Sequence, residues 1–354
     1  SFDASYTDQT LELLAFSEEI SNQPTITEFT KVDLTGGQEI EGAQMQILDQ
    51  EGKVVEEWVS KKEAHVVYAL APGEYILHEE QAPTEQGYVR AEDVKFVVEE
   101  TGEVQKVKMK DDHTKVSISK TDITDGKEIE GAKLQILDQE GEVVESWTTG
   151  EEHLIEYLPV GTYTLHEEAA VGGYIVANDV EFTVEETGEI QKVKMEDERA
   201  MGQLVIVKTD ADSKAALEGV EFVLLEKETG KEVERLKTGK DGKAVSSLLP
   251  IGTYENGVFK EPITYVLKET AALEGYEKTE EEWEIVFSYQ NDKTPVIEVV
   301  KEIQNKKIPE TPGTVKPGPK TGDDTNWFLP LLALGVSAGM VAGLLYYRKK
   351  QKKA

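Results

Sequence analysis

At 354 residues the chain is too long for one ordinary domain and fits two or three. Its 70 acidic against 38 basic residues leave a net charge of -32, which excludes nucleic acid or an anionic lipid surface as partners of the protein's body. The absence of cysteine excludes disulfides and thiolate metal sites, so an extracellular chain must find another covalent staple or do without.

In chain order, residue 1 is Ser, and no basic segment followed by an apolar one comes after it. The C-terminus requires export, so the start of the chain is expected not to be the start of its gene. Within residues 1–26, Leu14, Phe16, Glu18, Ile20 and Asn22 copy the alternation of Ile297, Val299, Lys301, Ile303 and Asn305. Phe2 to Tyr6 echoes Phe287 to Tyr289 in the same way. The stretch reads as the last strands of a truncated upstream domain, the alternative being a disordered leader.

A repeat follows. Glu-Ile-Glu-Gly-Ala at 39–43 returns at 128–132, Ile-Leu-Asp-Gln-Glu-Gly at 47–52 returns at 136–141, and Val-Glu-Glu-Thr-Gly-Glu at 98–103 returns at 184–189. A period near 90 residues gives one small domain per repeat rather than a solenoid unit. Short alternating runs separated by Gly-Gly, Asp-Gly, Glu-Gly and Pro-Gly turns predict antiparallel β-sandwiches, and long helical periodicity is missing. Three are expected in tandem, over residues 27–112, 113–200 and 201–307, with links near His113 and Ala200–Gly202.

Each repeat carries a strand of the form Tyr-x-Leu-x-Glu: Tyr75 to Glu79, Tyr163 to Glu167 and Tyr265 to Glu269. Residues two apart share a face, so the buried Tyr and Leu carry the glutamate inward. Glu80 and Glu168 compete for that assignment, but the third copy has only Glu269, followed by Thr270. His78 and His166 then face outward. Lys31 shares a face with Phe29, Lys120 with Val116 and Ile118, and Lys208 with Leu204 and Ile206. Late in the repeats Asp111 aligns with Val107 and Met109, Asp197 with Val193 and Met195, and Asn305 with Val299 and Ile303. Each repeat is thus expected to send a lysine, a glutamate and an Asp or Asn toward one core. Two chemistries fit such a trio. One is a buried ion pair, a doubtful source of stability because of its desolvation. The other is attack of a neutral lysine amine on the Asp or Asn carbonyl, with a protonated glutamate as acid and the two partners held together, all three conditions being met by burial and by folding.

The third repeat has an insertion, Glu255 to Thr264, that reads as a harmless hairpin extension or, less readily, as a ligand surface. Residues 308–321 are rich in Pro, Gly, Thr and Lys and read as a linker. Residues 322–354 contain an apolar run from Trp327 to Tyr347, long enough to cross a bilayer as a helix, and then Arg348, Lys349, Lys350, Lys352 and Lys353 to keep the end cytoplasmic. No acidic loop of calcium-binding spacing appears and the five histidines are scattered, so no metal and no cofactor is expected.

Ser119-Lys120-Thr121-Asp122, Glu130-Gly131-Ala132, Tyr163-x-Leu165-x-Glu167 and Gly173-Tyr174 resemble the collagen-adhesin B-type domain, also called the SpaA-like pilin domain. Lys31-x-Asp33, Glu41-Gly42-Ala43 and Gly87-Tyr88 in the first repeat, and Lys208-Thr209-Asp210, Glu218-Gly219-Val220 and Gly275-Tyr276 in the third, resemble it too. The resemblance implies an all-β fold of tandem transthyretin-like (Ig-like) sandwiches, to which the tail adds one C-terminal transmembrane helix. It implies intramolecular isopeptide bonds, with Lys31, Lys120 and Lys208 as nucleophiles and Glu79, Glu167 and Glu269 as catalytic acids. Asp111, Asp197 and Asn305 are the implied acceptors, and Asn22 is the orphan acceptor of the upstream domain. The tail resembles a Gram-positive sortase signal of LPXTG type, with Gly318 in place of Leu and processing between Thr321 and Gly322.

These features together lead to a mechanical expectation: a secreted, cell-wall-anchored stalk whose cross-linked sandwiches resist force and proteolysis. Its implied partners are a sortase transpeptidase and peptidoglycan, with membrane contact through residues 327–347 before processing. The alternatives are an adhesin module binding a host extracellular-matrix protein and a minor or basal pilin subunit, although a Tyr-Pro-Lys polymerisation motif is missing. A turnover enzyme is not expected, since the trio reacts once.

Overall fold

The computed structural model describes residues 23–309. Asn22 and nearly all of the upstream strands, Thr321, Gly322 and the apolar run at 327–347 lie outside the described residues. What is described is a tandem of three β-sandwiches. The first comprises β1 (Ile26–Asp33), β2 (Gln44–Leu48), β3 (Val54–Val59), β4 (His65–Tyr68), β5 (Gly73–Gln81), β6 (Val94–Val98) and β7 (Val104–Asp111). Its sheets have the orders β4-β1-β7 and β3-β2-β5-β6.

The second contains β8 (Lys115–Asp122), β9 (Lys133–Leu137), β10 (Val143–Thr148), β11 (His153–Glu156), β12 (Gly161–Ala169), β13 (Tyr174–Ile175), β14 (Val180–Val184) and β15 (Ile190–Arg199). Here the orders are β11-β8-β15-β13 and β10-β9-β12-β14. The third contains β16 (Met201–Asp210), β17 (Glu221–Glu226), β18 (Glu232–Lys237), β19 (Lys243–Val245), β20 (Leu249–Pro250), β21 (Gly252–Glu255), β22 (Val258–Pro262), β23 (Thr264–Ala271), β24 (Glu282–Val286) and β25 (Val296–Asn305). Its β16 pairs with β19, β20 and β25, opposite the sheet β18-β17-β23-β24.

Strict alternation builds these layers. In β12 Tyr163, Leu165 and Glu167 are buried while their neighbours face outward or are half-covered, and Leu165 packs with Val116, Ile118, Leu134, Ile136 and Met195. Leu77, Met45 and Met109 occupy the corresponding core of the first sandwich, and Leu267, Phe222 and Ile206 that of the third. β-Branched and aromatic residues fill the strands because such side chains suit a pleated, half-buried surface.

One departure from the sequence reading concerns strand direction. The first and last strands of each sandwich run parallel: β1 with β7, β8 with β15 and β16 with β25. The strand before the last lies in the facing sheet, so the chain arrives beside the first strand by crossing over rather than by a hairpin, and only a hairpin imposes antiparallel neighbours. A second departure follows each inward glutamate. Glu79 opposes Met45 but Gln81 opposes Gln44, so one extra residue, Glu80, is accommodated as a bulge. The bulge recurs at Glu168 and Thr270. It leaves Glu80 exposed and keeps Glu79 buried, which is how adjacent glutamates separate.

Candidate functional site

The parallel register sets the lysine and the Asp or Asn of each trio side by side. Lys31 is level with Met109, which puts Asp111 two residues further on the same face of β7. Lys120 with Met195 and Lys208 with Ile303 repeat this offset for Asp197 and Asn305. The glutamate descends from the opposite sheet, on β5, β12 or β23. All nine side chains are buried, none more than 4% exposed. In the first sandwich Lys31 Nζ touches Asp111 Oδ1 and lies 2.8 Å from Glu79 Oε2. In the second, Lys120 Nζ touches Asp197 Oδ1 and lies 2.9 Å from Glu167 Oε2. In the third, Lys208 Nζ touches Asn305 Oδ1 and lies 3.1 Å from Glu269 Oε2.

Asn305 donates from Nδ2 to Glu269 Oε1 over 2.6 Å. In the other two sandwiches, by contrast, Glu79 Oε1, Glu167 Oε1, Asp111 Oδ2 and Asp197 Oδ2 are buried without a donor. An aspartyl oxygen in the place of that amide nitrogen satisfies both carboxyls only if it carries a proton. The electrostatics agree. Burial pushes Asp111 up to about 7, with Lys31 opposing and Glu79 adding to the rise. Asp197 is pushed to about 7 by burial in the same way, against Lys120 and with Glu167. Burial also lowers Lys208, and Glu269 only partly restores it. The amide N–H groups of Ala91 and Ala177 hold Glu79 Oε2 and Glu167 Oε2 at 2.7 and 2.6 Å, fixing both glutamates without closing off their other oxygen.

Asp112, the neighbour of Asp111, instead binds Lys115 at 2.7 Å and lies outside the trio. His78 and His166 sit at the surface on Asp93 and Asp179. No group of metal-ligating side chains occurs among the described residues.

Sequence reasoning missed a second buried acid. Asp33, Asp122 and Asp210 end the first strand of each sandwich, two residues after the lysine, and bond groups outside the trio. One oxygen caps the following turn, through Thr35 and Gly36, Thr124, or Asp212 and Ser213. The other accepts a tyrosine hydroxyl: Tyr157 on Asp33 at 2.8 Å, Tyr174 on Asp122 at 2.8 Å and Tyr276 on Asp210 at 2.9 Å. Burial works to raise Asp33, but the Thr35 hydroxyl, the Gly36 N–H and the Tyr157 hydroxyl bring it to about 2. Tyr157 belongs to the second sandwich, so this bond crosses the first junction. The recurring Lys-x-Asp pairs and, for Asp122 and Asp210, the Gly-Tyr pairs were the available signal, whereas nothing in the sequence marks Tyr157.

A family model described as the SpaA prealbumin-like fold domain matches residues 25–113, 114–199 and 202–262, one stretch per sandwich. The chain belongs to this SpaA family. The third match ends at Pro262, the last residue of the inserted hairpin. Among solved structures, the Bacillus anthracis TIE protein is similar at 28% identity and a TM-score of 0.54, over 80% of this chain and 51% of that one. The chain therefore spans about half the length of that protein. BcpA, the major pilin subunit of Bacillus cereus, is similar at 16% identity and a TM-score of 0.46, over 80% of this chain and 100% of BcpA. No curated protein matches the chain.

Proposed function

We propose that this SpaA-family chain is a stalk segment of a bacterial surface protein, in which each sandwich welds its first strand to its last through an isopeptide bond. Lys31 and Lys120 attack Cγ of Asp111 and Asp197, a C–N bond replaces the C–O bond, and the hydroxyl leaves as water. Lys208 attacks Cγ of Asn305, and the side-chain NH2 leaves as ammonia. Glu79, Glu167 and Glu269 lend a proton to the carbonyl oxygen as the tetrahedral intermediate forms and accept one from the amine as it collapses. A low-dielectric core serves both needs, since it disfavours the ammonium and the carboxylate alike.

The observation that carries this reading is the threefold recurrence of one buried lysine in contact with one acceptor, under one glutamate. Intact-mass analysis of the folded chain tests it. The expected mass falls short of the sequence mass by two waters and one ammonia, and a full sequence mass overturns the proposal.

The tail extends the reading to the wall: a sortase cuts between Thr321 and Gly322 after residues 327–347 have held the chain in the membrane, and peptidoglycan receives the new end. Membership of the SpaA family supports a pilin-like or surface role, and the pentapeptide, apolar run and basic end support this anchoring. Release of the protein by muramidase but not by detergent is the expected result, and Thr321→Ala is expected to reverse it. The alternative of a host-matrix ligand surface on the inserted loop finds no support in the hairpin's packing, since Tyr254 and Phe259 lie against Gly173 of the second sandwich.

A further inference from the structure

The insertion of the third sandwich is a well-formed hairpin. Strands β21 and β22 pair only with each other, around Asn256-Gly257. Both turn residues have left-handed backbones, φ 52° and 70°, as a two-residue turn of type I′ demands. The insertion has duplicated a motif. Gly161-Thr162-Tyr163 runs straight into the core strand of the second sandwich, and the Tyr163 hydroxyl bonds Pro159 O at 2.9 Å. In the third sandwich Thr264-Tyr265 takes over that place, with the Tyr265 hydroxyl on Pro250 O at 2.7 Å. The first copy, Gly252-Thr253-Tyr254, is thereby released from the core.

Tyr254 is nonetheless not given to solvent. Its hydroxyl donates to Gly173 O of the second sandwich at 2.7 Å, its ring meets Tyr174 edge-on at 5.2 Å, and the Arg199 guanidinium lies 4.1 Å above its centroid. Arg199 is in turn fixed to Asp122 at 2.6 Å and Asp125 at 3.0 Å. A Cβ at Gly173 would stand 2.7 Å from the Phe259 ring, and one at Gly257 would stand 2.0 Å from Glu128 O. Both glycines therefore let backbone and hairpin approach more closely than any other residue allows. Tyr289 adds a bond to Tyr174 O at 2.8 Å, and Asp292 O accepts from the Val176 N–H at 3.0 Å.

We propose that the hairpin Gly252–Pro262 is an interdomain clasp, which grips the Gly173-Tyr174 corner and the Glu128 turn so that the second and third sandwiches move as one body. Adjacent domains swing relative to each other unless the interface between them is large and apolar. The clasp supplies that surface with two aromatic rings, a cation–π contact and a hairpin tip seated against backbone. The inference does not depend on the isopeptide bonds, because none of its residues belongs to a trio.

The test uses the full chain, whose lack of cysteine allows spin labels to be placed at will. Cysteines at exposed Glu151 and Glu228 report the distance between the two sandwiches by pulsed electron resonance. Deleting residues 254–264 joins Thr253 to Tyr265 and recreates the Gly-Thr-Tyr of the second sandwich. The distance distribution is expected to broaden about twofold on deletion, as free domain motion replaces a single orientation. Gly257→Ala should broaden it as well. Gly230→Ala has the same left-handed strain, φ 66°, but open space around it, and should leave the distribution unchanged. A deletion that fails to fold leaves Gly257→Ala to decide. An unchanged width in Gly257→Ala, or in a folded deletion, overturns the proposal.

Discussion

Glu167→Gln isolates the proposed chemistry in one sandwich. The substitution keeps the size and shape of the side chain, the amide oxygen takes the place of Oε2 as acceptor of the Ala177 N–H, and Lys120 and Asp197 remain in contact, but the proton donor is gone. Without the bond, the unfolded chain regains the freedom of a loop whose ends are 77 residues apart. Chain entropy for such a loop corresponds to about 4.5 kcal/mol at 25 °C. For a domain of this size each kcal/mol moves the midpoint by about 4–8 °C, so the second sandwich should melt roughly 20–35 °C lower. Glu196→Gln, on the exposed Lys194–Glu196 pair, makes the same change in composition and serves as the control. Intact mass should show Glu167→Gln regaining one water relative to the deficit of its parent, while Glu196→Gln does not. Calorimetry and timed proteolysis should then find one early transition. Either a variant that still lacks all its waters, or one that regains the water and melts within a few degrees of the parent, would refute the reasoning.

Four further outcomes are expected. Asn305→Asp should change the total deficit from two waters and one ammonia to three waters, read by mass, because Asp111 and Asp197 react at the same register. Asp111 and Asp197 have folded values raised to about 7, so they favour the unlinked native state at pH below about 4 and lose that contribution as pH rises through 7. Freshly synthesised chain should accordingly lose water faster at pH 6 than at pH 8, whereas ammonia loss from the third sandwich should not slow over that interval. Tyr174→Phe removes one of two donors to Asp122 Oδ2 and leaves Arg199 in place, so it should lower the stability of the second sandwich by about 1 kcal/mol in chemical denaturation. The larger loss, about 3 kcal/mol, belongs to Asp122→Ala, which leaves the partly buried Arg199 with Asp125 alone and the Tyr174 hydroxyl without its acceptor.

Much of the fold was legible because strands obey a period of two. Phe29 with Lys31, Leu165 with Glu167 and Met195 with Asp197 fall on common faces by counting alone, and counting was enough to bring each trio to one core. Counting does not reveal direction, so the parallel pairing of first and last strands stayed hidden. Nor does it reveal bulges: the choice of Glu79 over Glu80 came from comparing copies, whereas the physical cause is the extra residue in β5. Asp33, Asp122 and Asp210 were passed over because each lies two residues from a lysine yet turns toward a tyrosine of another loop, and for Asp33 of another sandwich. The Asn256-Gly257 turn announced a hairpin, but its seat on Gly173 depends on residues about 80 positions away, which no local pattern encodes.

Parallel first and last strands have a mechanical consequence. A pull enters a sandwich at the start of β1 and leaves at the end of β7, so it slides one strand along the other and loads all their hydrogen bonds together. An amide between Lys31 and Asp111 sits near the exit end of both strands. Force would then pass along β1 to Lys31, across the amide, and out through Asp111, and everything from Val32 to Lys110 would lie outside its path. The same offset in β8–β15 and β16–β25 would make the three sandwiches inextensible in series. Extension would be left to the junctions between them, where the Tyr157–Asp33 bond and the hairpin clasp are found. A bond between antiparallel neighbours joined by a hairpin would not achieve this, since it would shield only the short turn between them.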